Sequence, residues 1–133
     1  DDGSGSNTLQ VRFVNGQVLF RVLNSGVGVG SAVTHNMDLT TNHKIACRYD
    51  NASQTFTMFV DGVSVGIKQT GVTTLAVLSS FDFDSGGGST EFYGETKQIQ
   101  IFKTALTDTE IREQLMSFTS FNAMAKYYNY TII

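Results

Sequence analysis

From His43 to Ile67 the chain alternates between apolar and polar positions. Ile45, Cys47 and Tyr49 fall on one side, and Lys44, Ala46 and Arg48 on the other. After a polar break from Asp50 to Gln54, Phe56, Met58 and Val60 continue the apolar row, with Thr55 and Thr57 opposite. Successive side chains of a strand point to opposite faces, so a period of two predicts strands with one buried side. Asp61-Gly62, set between Val60 and Val63, is a two-residue hairpin signal, because such turns need positive φ at both positions. The stretch therefore reads as a three-stranded antiparallel meander.

The same pattern recurs upstream. Leu9, Val11 and Phe13 alternate with Gln10 and Arg12, Asn15-Gly16 supplies a second hairpin turn, and Val18, Phe20 and Val22 alternate with Leu19 and Arg21. Asn24 to Gly30 is a glycine-rich break, and Val27, Val29 and Val33 carry a weaker strand signal ending near His35-Asn36. Downstream, Gln69 to Thr74 reads as a loop, and Leu75 to Phe83 starts apolar and runs into the alternating Phe81-Asp82-Phe83-Asp84. The loop Ser85 to Ser89 follows. Glu91 to Lys103 reads as a last long strand, with Ile99 and Ile101 inward and Lys97, Gln98 and Gln100 outward.

The period then changes. Thr107 and Glu110 have the spacing of a capping box, in which hydroxyl and carboxylate satisfy each other's backbone donors. Leu106, Ile111 and Leu115 make one apolar stripe on a short helix to about Met116. Phe121, Met124, Ala125 and Tyr128 predict a second, so residues 107–126 form a helical segment packed on the strands. Asn129 to Ile133 looks strand-like. Many short strands, glycine-rich turns and no βαβ rhythm predict an all-β fold: an antiparallel two-sheet β-sandwich spanning 1–133 as one domain.

Composition narrows the function. With 133 residues and 41% apolar content, including ten Phe, the chain has the material for a packed core. A net charge of −3 gives no electrostatic case for nucleic acid, and no apolar run has the roughly 20 residues of a membrane helix. The lone Cys47 has no disulfide partner in the chain and is expected to be a small buried apolar residue.

At the central meander a family resemblance emerges. HKIACRYD followed by TFTMFVDGVSVG resembles the core of concanavalin A-like lectin domains of the laminin G and pentraxin type. Phe92-Tyr93-Gly94 with Gln98 to Phe102 is similar to a later strand of that family, and Lys103 to Ile111 to its closing helix start. Asp2-Gly3 through Asn7, and the segment Phe121 to Ile133, resemble the versions found in bacteriophage tail and other virion proteins. The resemblance implies a two-sheet jelly roll whose first strands lie before Asp1, in an extracellular or virion-surface setting. Two features depart from the pattern: Thr96-Lys97 stands where an acidic residue is frequent, and Asp61 where the hairpin usually carries Asn.

Two sites are candidates. Asp82 and Asp84 lie two apart on one strand face, with Glu91 and Glu95 beyond a glycine-rich loop; hard oxygen ligands of this kind suit calcium, the candidate cofactor. The alternative is a solvated strand end. The second site is a polar sheet face made of Gln10, Arg12, Arg21, Arg48, Gln98 and Gln100, with Tyr93 as a stacking ring. Planar amide and guanidinium donors suit sugar hydroxyls and the carboxylates of acidic glycans. The alternative is the ordinary wet face of an antiparallel sheet.

His35 and His43 lack a third ligand and read as polar loop residues. The triplets at Asn51 and Asn129 match chance expectation in a chain so rich in Ser and Thr. No Glu-x-Asp-x-x-Glu strand, nucleophile elbow, phosphate loop or zinc spacing occurs. The expected function is a non-catalytic carbohydrate-recognition or adhesion module of a phage tail or virion protein. Its partners would be a glycan or host-surface polysaccharide and further copies of the chain in a homo-oligomer such as a trimer. A structural protein-interaction domain is the alternative, and a glycoside hydrolase or lyase the third reading.

Overall fold

A computed structural model describes residues 6–69, 78–81, 83, 92, 94–116, 123 and 126 of the chain. The seven strands among them are β1 (Thr8–Val14), β2 (Gln17–Asn24), β3 (Val27–Gly28), β4 (Val33–Asn36), β5 (Ile45–Asp50), β6 (Thr55–Val60) and β7 (Val63–Gln69). β1 pairs with one edge of β2, and β3 and β4 share its other edge; β5, β6 and β7 form a second antiparallel sheet in that order.

Turn chemistry sets the registers. Asn15-Gly16, Ser25-Gly26 and Asp61-Gly62 all have positive φ at both positions, between 49° and 83°. Each is bracketed by a closing pair: Val14 with Gln17, Asn24 with Val27, and Val60 with Val63. Such doubly left-handed turns match the twist of the strands they join. The weak strand signal after Asn24 resolves into β3 and β4, which run along one edge of β2 with a break between them.

The two sheets face each other as a sandwich. Val18, Phe20, Val22, Val29 and Val33 of the first sheet and its loops meet Phe56, Met58 and Val60 of the second in one buried cluster. Phe20 and Phe56 touch edge to face across the layers, with ring centroids 5.4 Å apart. At the β4–β7 flank the layers lie close: a Cβ built on Gly66 would come within 2.7 Å of Val33 Cγ1. A side chain at residue 66 would therefore prise β7 away from β4.

β6 is buried on both faces, every residue from Thr55 to Val60. Its second face is covered from the C-terminal side, where Phe59 and Ile111 form a small cluster with Ala46 and Leu106. The expected capping box is present: Glu110 Oε2 accepts from the Thr107 N–H at 2.7 Å, and Thr107 Oγ1 from the Glu110 N–H at 3.2 Å. It opens a wide, π-type helix, Glu110–Met116. Arg48 fixes this start to the sheet. Its Nη1 donates to the Leu106 carbonyl at 2.9 Å and to Asp108 Oδ1 at 2.7 Å, and its guanidinium lies 5.7 Å from the centre of the Phe59 ring.

Several expectations fail for one physical reason. Leu9, Val11 and Phe13 pair with Val22, Phe20 and Val18 and so lie on the core side of β1, yet they are 37–42% exposed. Cys47, expected to be buried, is also exposed. β6 lies over β2 and β7 over β4, which brings β1 and β5 to the same flank. There, among the described residues, the inward-pointing rows face no strand of the opposite sheet, although the Phe92 ring lies against Phe13.

The expected strand over 91–103 is not formed at its described positions: residues 94–103 lie in no strand, and Ile99 and Ile101 are 44% and 71% exposed. Alternation buries a row only where a ladder partner and a facing layer receive it. Of the second expected helix, only Ala123 and Lys126 are described, both helical; the strand-like 129–133 lies outside the described residues.

Gly66→Ala is expected to cost about 1–3 kcal/mol in urea unfolding, since the new methyl meets Val33. The penalty should shrink in a Val33→Ala background, where the methyl has room. Arg48→Ala is expected to cost about 1–3 kcal/mol, mostly through the orphaned Leu106 carbonyl and lost packing on Phe59; Asp108 is half exposed, so the ion pair itself adds little. Thr107→Ala should cost about 1 kcal/mol. Measured together, the Arg48 and Thr107 changes should add up to less than their sum, because both hold one helix start.

Candidate functional site

The outer face of the first sheet carries the polar positions of β1, β2 and β4. The β1–β2 register sets Gln10 opposite Arg21 and Arg12 opposite Leu19, and β4 adds Thr34 beside Leu19 and Asn36 beside Gln17. Arg21 Nε donates to Gln10 Oε1 at 2.8 Å, which orients both planar groups. Gln17 Nε2 donates to Asn36 Oδ1 at 2.7 Å, extending the amide surface to the other edge.

Arg12 and Arg21 lie diagonally across adjacent strands, near enough for their charges to interact. Partial burial, and then the Arg12 charge, hold the Arg21 guanidinium below its ordinary value. The ion pairs His43–Asp61 and Arg48–Asp108 involve neither arginine and do not relieve this repulsion. The register places no carboxylate in these rows of β1, β2 and β4. The result is a pair of half-buried cations beside Gln10, with Gln17 and Asn36 exposed further along the face.

The other expected members of this face lie elsewhere. Arg48 is on the outer face of the second sheet, on the opposite side of the sandwich, and is occupied by Leu106 and Asp108. Gln98 and Gln100 are exposed in the irregular stretch 94–107 and belong to no ladder. Tyr93, Asp82, Asp84 and Glu91 lie outside the described residues. Among the described residues no group of His, Cys, Asp and Glu is arranged to hold a metal ion. Both ring nitrogens of His43 are engaged with Asp61, Asp38 and Thr41.

Two features escaped sequence reasoning. Gln17, Thr34 and Asn36 join the face because β4 pairs with β2 across an irregular loop, and only the Asn15-Gly16 turn gave a register signal there. The second is a strip of phenylalanines running from the open flank. Phe13 meets Phe92 at 5.7 Å, Phe92 meets Phe83 at 5.9 Å, and Phe83 meets Phe81 at 5.2 Å, all four exposed. The Phe92 N–H donates to the Phe83 carbonyl at 2.9 Å.

Comparison with curated proteins returns no significant match. Among solved structures, an S-layer domain-containing protein (residues 221–444) from Clostridium thermocellum is 19% identical, with a TM-score of 0.40. The alignment covers 84% of this chain and 58% of that one, so the chain spans less than two thirds of its length. A laminin G family model, described as the concanavalin A-like lectin/glucanases superfamily, matches residues 1–112. Two antiparallel sheets packed face to face, and a family match over most of the sequence, mean that this chain belongs to the concanavalin A-like lectin/glucanases superfamily.

Proposed function

We propose that the chain is a non-catalytic recognition module that binds anionic glycan on the outer face of its first sheet. The observation that carries this reading is the uncompensated Arg12–Arg21 pair beside Gln10. Two like charges on neighbouring strands repel, and a ligand carboxylate or sulfate between them offsets that cost. In a chain of net charge −3 the pair is a local departure from the overall field. Gln10, already held by Arg21, and the Gln17–Asn36 pair supply planar groups for sugar hydroxyls.

A flat exposed face binds each sugar weakly. Adhesion through such a face gains from several copies acting together, which fits a homo-oligomer meeting a repeating polysaccharide. An extracellular position, such as a virion or phage-tail surface, is where such a polysaccharide is met. Hydrolysis of the bound chain would need two carboxylates flanking the scissile bond, and the rows of β1, β2 and β4 on this face offer none. A second reading, a protein-assembly module, is favoured by the open flank and the exposed strip Phe13, Phe92, Phe83 and Phe81, because contiguous apolar surface marks docking sites.

The paired variant Arg12→Ala/Arg21→Ala is expected to lose at least tenfold in retention on immobilised uronate- or sulfate-bearing polysaccharide, with its thermal midpoint essentially unchanged. Retention of the unaltered chain should fall as salt is raised. Equal retention by the paired variant, or equal retention on neutral polysaccharide, refutes the glycan reading.

A further inference from the structure

His43 stands just ahead of β5, between the β4–β5 loop and the tip of the β6–β7 hairpin. Its Nδ1 lies 2.6 Å from Asp61 Oδ2, and its Nε2 lies 2.9 Å from the Asp38 carbonyl and 2.9 Å from Thr41 Oγ1. A carboxylate and a carbonyl can only accept, so both ring nitrogens must donate for this arrangement to be fully bonded. Only the imidazolium has two N–H groups.

Asp61 is a fixed anchor. Its Oδ1 accepts from the Lys44 N–H at 2.9 Å, its own N–H donates to the Lys44 carbonyl at 2.9 Å, and its backbone holds the left-handed first position of the hairpin turn. The charged groups acting on the ring are Asp61 from the hairpin and Asp38 from the loop, and Lys44, ahead of β5, acts on Asp61. The Asp38 carboxylate is itself turned to the N–H and hydroxyl of Thr40.

We propose that His43 is a proton-operated clamp that ties the Asp38 carbonyl of the β4–β5 loop to the β6–β7 hairpin when doubly protonated and releases that carbonyl when neutral. The release has a specific route. In the clamped state Thr41 Oγ1–H donates to the Asp38 carbonyl at 3.1 Å, alongside Nε2–H. When Nε2 loses its proton it becomes an acceptor, and the Thr41 hydroxyl rotates to donate to it. The Asp38 carbonyl then loses two donors at once and keeps only the Thr41 N–H at 3.4 Å, while Nδ1–H stays on Asp61.

The electrostatics agree with this geometry. The bond to Asp61 raises the His43 pKa above its ordinary value, burial opposes it, and the Asp38 carbonyl adds to the rise. Partial burial alone would raise the Asp61 carboxyl, but the Lys44 N–H and the His43 ring outweigh it and hold it low. A group whose folded pKa lies above its unfolded value stabilises fully below the unfolded value, about 6.5 for histidine. That contribution is lost as pH rises through the folded value. The clamp is therefore closed in mild acid and opens on the alkaline side.

The test is a histidine ring-nitrogen NMR titration of the full chain, with backbone amides followed in parallel. His43 should show both nitrogens protonated at low pH and a midpoint above about 6.5. The amides of Thr41 and Lys44 should titrate with that same midpoint. Asp61→Asn keeps an oxygen for the Lys44 N–H and tolerates the left-handed turn, so the fold is retained and the His43 midpoint should drop. A wild-type midpoint at or below 6.5, loop amides that ignore it, or an unchanged midpoint in Asp61→Asn would overturn the clamp.

Discussion

The double burial of β6 is the constraint on which the rest of this structure depends. Phe56, Met58 and Val60 on one side meet Phe20 and its neighbours, and Phe59 on the other meets Ile111. A strand with both faces covered cannot slip by one residue without exchanging its apolar and hydroxyl rows. β5 and β7 take their registers from it, and the first sheet is seated on it through Phe20. The helix start also belongs to this system, because Arg48 spans from the row beside Phe59 to Leu106 and Asp108.

The sandwich is asymmetric across its width. At the β4–β7 flank Gly66 lets the backbone close against Val33. At the β1–β5 flank the inward rows of Leu9, Val11, Phe13 and Cys47 meet solvent. Exposed apolar rows on a sheet are a liability unless another surface covers them. The polar outer face lies on the far side of β1 and β2 from these rows, so its polar side chains can vary without demand on the inner cluster. This separation of a stabilising inner face from a chemically variable outer one explains how a single fold hosts unrelated ligands.

The loops tell a similar story in smaller compass. Asp61 serves the hairpin by its backbone, β5 by one carboxylate oxygen and His43 by the other. The carboxylate adds a charge that a neighbouring imidazole can answer. A turn residue chosen for its conformation thereby becomes part of an electrostatic pair.

Local chemistry was enough to read the hairpins at Asn15-Gly16 and Asp61-Gly62, the inward rows of β2 and β6, and the capping box of Thr107 and Glu110. Each of these rests on interactions within a few residues, or on a turn that fixes its own register. What lay beyond the sequence was decided by which layer sits opposite which strand. Leu9, Val11 and Phe13 have the same alternation as Val18, Phe20 and Val22, and only the placement of the second sheet leaves the first set open. Arg48 reads like Arg12 and Arg21 in its own strand, yet the two sheets turn their polar sides in opposite directions, and that geometry alone splits the expected face in two. Alternation fixes which side of a strand a residue takes; the packing of distant segments decides what that side meets.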